Sequence, residues 1–143
     1  MEGECNMENK YKKIIIGLIL ISIIGLFLPW FFFDINVDYT NGLVWLSSPL
    51  LSVSILSSTV LILIKKRSKI INIANFISLL LIPVYCIYLF CTWYIMTITG
   101  KFDIMVSLST AHYGFYITAI SSLIATVLYY LSMIKTNSKI INS

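Results

Sequence analysis

A chain of 143 residues that is 59% hydrophobic and only 11% charged lies well outside the range of soluble domains, whose helices carry polar faces. The net charge of +4 is gathered at the flanks of apolar runs and forms no basic face interleaved with aromatics, so nucleic acid is not an expected partner. A single membrane domain with the lipid bilayer as its solvent is the reading that remains.

Four runs without a charged residue, 14–33, 48–64, 70–98 and 114–134, are read as transmembrane helices, since about 20 residues cross a hydrocarbon core of about 30 Å. Lys10, Lys12 and Lys13 precede the first run. Lys65, Lys66, Arg67 and Lys69 join the second to the third, and Lys135 and Lys139 follow the fourth. Of the ten basic residues only Lys101 falls on the other side. This bias predicts a multi-pass protein of the cell membrane with both termini cytoplasmic.

In chain order, residues 1–13 form a cytoplasmic tail, and the apolar stretch after it is too long for a signal-peptide core of about 7–15 residues. The first span, 14–33, offers Gly17, Ser22 and Gly25 to a close neighbour and ends at Pro29-Trp30, a tryptophan placed for the headgroup layer. Residues 34–47 are read as an outer hairpin loop. Ile35, Val37 and Tyr39 alternate with polar residues, and Asn41-Gly42 is the dipeptide that best takes a type I′ turn.

Ser48 and Pro49 open the second span, 48–64, where Ser54 and Ser58 make a small-xxx-small pair. After a cytoplasmic turn at 65–69, the third span, 70–98, carries Pro83 near its middle, with Tyr85, Tyr88 and Thr92 on one face. In the second outer loop, 99–113, Phe102, Ile104, Val106 and Leu108 alternate with polar or flexible residues and predict a further strand. The fourth span, 114–134, sets Thr118, Ser122, Ala125, Tyr129 and Ser132 along one seam, and 135–143 is a short cytoplasmic tail. The expected fold is therefore an all-α membrane protein, a four-transmembrane-helix bundle with a small extracellular β-sheet formed by the two outer loops.

With the ending "LPW" of the first span, the glycine-containing loop and "HYGFYITAISSLIATVLYYL" in view, the chain resembles small, largely uncharacterised prokaryotic four-span membrane proteins. It also resembles claudin-like proteins, which join four helices to an extracellular sheet. Trp30 and "GLVW" at 42–45 stand near the claudin Trp and Gly-Leu-Trp, with Val44 inserted and no loop cysteines. The second resemblance implies architecture and no function.

No catalytic, metal or cofactor residues are assigned. His112 is the only histidine, and it reads as a headgroup-layer residue beside Tyr113 and Tyr116 in preference to a ligand shared with Asp34, Asp38 and Asp103. Cys86 and Cys91 lie within the third span as small hydrophobes, and Cys5 lies in the tail. The spans hold no ionisable group of the kind that ion-coupled transport uses. The expected role is a non-catalytic accessory, assembly or interaction subunit that binds another membrane protein or itself. The alternative is a carrier or channel for a small solute or lipid, acting as an oligomer. The interaction candidates are Trp30, Asn41, Gly42, Trp45, Ser54, Ser58, Tyr85, Tyr88, Trp93, Ser122 and Ala125.

Overall fold

The computed structural model describes residues 2–32, 39–64, 68–94 and 103–141. It is mostly helical, with a small two-stranded antiparallel sheet. Helix α1, Glu2–Leu26, is stopped by Pro29, which cannot continue a helix and biases Leu28 away from helical geometry. Its last turn tightens through Phe27 N to Ile24 O at 3.0 Å and Leu28 N to Gly25 O at 3.3 Å. The chain then becomes strand β1, Pro29–Phe32. The expected first span, 14–33, is therefore corrected over Pro29–Phe32, which is sheet, while residue 33 lies outside the described residues.

Strand β2, Tyr39–Asn41, pairs back onto β1, with Phe31 opposite Thr40 and Phe32 opposite Tyr39. The expected type I′ turn at Asn41-Gly42 does not occur. Asn41 is extended (φ −86°, ψ 164°) opposite Pro29, and Gly42–Ser47 forms a 3-10 helix. The connection at 33–38, including Asp34, Ile35 and Asp38, lies outside the described residues.

Helix α2, Pro49–Leu63, starts with proline at its first position, where the missing N–H costs no helical hydrogen bond. Helix α3, Lys69–Tyr94, begins over Ser68, whose hydroxyl accepts from Ile71 N at 3.3 Å, and it runs unbroken through Pro83. Helix α4, Ile104–Thr110, occupies the place of the expected third strand. The cause is Asp103, whose carboxylate accepts from Met105 N at 2.9 Å and Val106 N at 3.4 Å and so satisfies the first turn of a helix. The second loop reaches the sheet only through an isolated bridge between Phe31 and Ala111. Helix α5, Tyr113–Ile141, runs on through most of the expected tail, just as α1 runs back through the other.

Among the described residues two helices are long and apolar enough to cross a membrane, over Lys69–Trp93 and Tyr113–Lys135, and Pro49–Leu63 is a shorter apolar helix. Packing orders them so that α1 lies chiefly on α5, α5 on α3 and α3 on α2. One apolar cluster, including Leu26, Trp30, Phe31, Leu51, Ile82 and Phe115, fills the end that carries the sheet. A second, of Ile15, Ile19, Ile62, Leu79, Ala125 and Tyr129, fills the other end.

Candidate functional site

The sheet end of the bundle is closed by an aromatic cap that grows out of the end of α1. The carbonyls at a helix's end have no donor from a following turn, and the Trp30 indole N–H adds to one of them, donating to Gly25 O at 2.9 Å beside the longer bond from Leu28 N. Trp30 is 0% exposed. It fits there because Gly42 has no side chain: a Cβ on Gly42 would collide with the Trp30 ring and come within 2.8 Å of Leu26 Cα.

Phe31 is buried in the same cluster, stacked on Trp93 at 4.6 Å, with Phe115 at 5.2 Å and the edge of Trp45 at 6.3 Å. On the far edge of β1, His112 N donates to Trp30 O at 2.8 Å, and the His112 ring lies 4.8 Å from Phe32 and 4.1 Å from Tyr113. The histidine is thus a packing element of the cap, and Asp103 is engaged as the α4 cap. No group of three metal-ligating side chains occurs among the described residues. Trp45 Nε1, Ser107 Oγ and His112 Nδ1 are buried in the cap without a hydrogen-bond partner.

Helix α4 is oriented against the usual rule. Ser107 is buried and Thr110 is half-buried, whereas Ile104, Leu108 and Met105 face outward, Met105 at 73% exposure. The same inversion runs through the bundle. Ser22, Ser54, Ser58, Thr118, Ser122 and Thr126 are buried, while Leu20, Leu56, Val60, Ile77, Ile87 and Leu123 stand exposed. The inward hydroxyls tie helix to helix: Ser22 Oγ with Ser121 Oγ at 2.7 Å, Ser57 to Ser78 at 2.9 Å, and Thr126 Oγ1 to Leu79 O at 3.0 Å. Tyr129 adds a hydrogen bond to Asn72 Oδ1 at 3.2 Å.

Most residues singled out as interaction candidates are used inside the chain. Trp30, Gly42, Ser54, Ser58, Tyr85, Trp93, Ser122 and Ala125 are buried, Asn41 and Trp45 are half-buried, and Tyr88 is exposed beside the Tyr85 ring at 6.0 Å. Trp30, Trp45 and Trp93 come together in the cap. Ser54, Ser58, Ser122 and Ala125 face the bundle interior. Phe31 and Phe115 carry no sequence signal beyond aromatic content, and the outward face of α4 falls in the stretch whose alternation reads as a strand. Asn72 and Asn75 do carry a signal: they are amides in the apolar run 70–98.

A shallow apolar groove of about 400 Å³ runs between α1 and α5, lined by Leu18, Ile21, Tyr116, Ile117, Ile120 and Ile124. The class these features define is a mostly helical protein with helices fit to cross a bilayer and a compact aromatic cap at one end. No family model, no curated protein and no solved structure matches the chain.

Proposed function

We propose that this chain is a four-span protein of the cell membrane with both termini cytoplasmic, and that it serves as a non-catalytic accessory subunit docking on another membrane protein through its extracellular cap. The single observation that carries the docking is the inverted α4, which turns Ile104, Met105 and Leu108 outward at the cap. A short helix bathed in water is stabilised by the opposite orientation, so an apolar face here calls for an apolar partner. Embedding is supported by the aliphatic faces exposed on α1, α2, α3 and α5, together with buried Ser and Thr. Helix α2, at about 22 Å for its 15 residues, is short for a span. The bridge from Ala111 to β1 and the short strand after the first helix support the claudin-like arrangement as architecture.

The test is site-specific photocrosslinking in native membranes from positions 105 and 108, with positions 56 and 60 on α2 as controls. A discrete protein adduct is expected from the α4 positions and lipid adducts from α2, and Met105→Glu should abolish the adduct formed at 108. Lipid adducts alone at 105 and 108 would sink the accessory role. The groove between α1 and α5 favours a second reading, a lipid carrier. That reading requires transfer of labelled lipid between vesicles by the purified chain, lost on Ile120→Trp.

A further inference from the structure

We propose that Asn75 holds a single water molecule sealed inside the helical bundle, a binding site that none of the functional reading requires. Asn75 is 0% exposed, and both its amide nitrogen and its carbonyl oxygen lack a hydrogen-bond partner. It sits on the face of α3 turned to α5, between Asn72, which receives the Tyr129 hydroxyl, and Leu79, whose carbonyl receives Thr126.

The contrast with its neighbours is chemical. Ser22, Ser54, Ser58, Thr118, Ser121, Ser122 and Thr126 are buried too, and each reaches a carbonyl of its own helix three or four residues back. An asparagine amide has more donors and acceptors than one such carbonyl can serve. Leaving them unpaired in a medium without water is among the costliest arrangements a helix bundle can contain.

The chemistry of the orphaned pair selects the occupant. A cation would satisfy the carbonyl oxygen and repel the NH₂ group, and an anion would do the reverse. Only a neutral group that donates and accepts at once serves both ends, and in a fully enclosed place it must be small. Water meets these conditions, and it typically makes about three hydrogen bonds in such sites. One hydrogen goes to the Asn75 carbonyl, one lone pair takes its N–H, and the second hydrogen goes to a main-chain carbonyl, which keeps a second lone pair even inside a helix.

The proposal rests on burial and hydrogen bonding alone, so the outcome of crosslinking at α4 leaves it untouched. Its test is a water-selective rotating-frame Overhauser experiment on the wild-type chain in detergent micelles, labelled with ¹⁵N-asparagine. The Asn75 side-chain NH₂ is assigned by through-bond correlation to its backbone. A dipolar cross-peak from both NH₂ protons to the water resonance is expected, with sign opposite to that of chemical exchange. Cross-peaks only to protein protons, or an exchange-sign peak alone, would overturn the site.

Discussion

At the scale of single residues, the glycines divide into those that make room and those that do not. Gly42 gives its space to Trp30, and Gly25 lies where a Cβ would meet the Thr118 hydroxyl and come within 3.2 Å of Gly114 O. Gly17 has nothing within 4 Å. Gly42→Ala should therefore destabilise the fold by about 1 to 3 kcal/mol through overpacking. Gly17→Ala should be neutral or stabilising by up to about 1 kcal/mol, because alanine is the better helix former. Unfolding in mixed micelles, followed by tryptophan fluorescence, measures both, and equal effects would show that Trp30 is free to move aside. The sequence singled out Gly42 as half of a type I′ turn, which the structure does not form. A glycine after asparagine reads as a turn, whereas here its use is a close contact with a ring twelve residues earlier, which no local pattern encodes.

At the scale of elements, the seam on α5 was legible, since Thr118, Ser122, Ala125 and Tyr129 all turn inward at the spacing the sequence displays. What they face was not legible, because small residues look alike whether they meet a helix of the same chain or of another. The Ser22 and Ser121 pair illustrates the bond strength involved. A double-mutant cycle with Ser22→Ala and Ser121→Ala should give a coupling of about 0.6 kcal/mol, read from unfolding midpoints, and zero coupling would mean that each hydroxyl serves only its own helix.

Element α4 failed the other way. Period-two alternation from Phe102 to Leu108 suits a strand, yet an aspartate placed to cap the first turn decides for helix. Asp103→Ala should cost α4 about 1 kcal/mol and raise amide exchange at Met105 and Val106 before any other described segment. Unchanged exchange there would leave the helix explained by packing alone.

At the scale of the whole molecule, the proposed orientation rests on the distribution of lysine and arginine, and the proposed embedding rests on the outward aliphatic faces of the helices. An impermeant thiol reagent applied to intact cells should modify Asn41→Cys and Ser109→Cys and spare Lys139→Cys, with the wild-type chain as the background for its own cysteines. Labelling at 139 from outside would reverse the topology. The main-chain bridge that joins Phe31 to Ala111, and the packing of α1 on α5, carry a further consequence for biosynthesis. In the proposed membrane setting, α1 meets its principal neighbour α5 only once that later helix has been made, and until then Ser22 and Gly25 stand uncovered in the bilayer. A nascent chain stalled before Tyr113 would present that seam to any insertase or membrane protease nearby, and its lifetime, more than that of the finished protein, should set how much of this protein a cell accumulates.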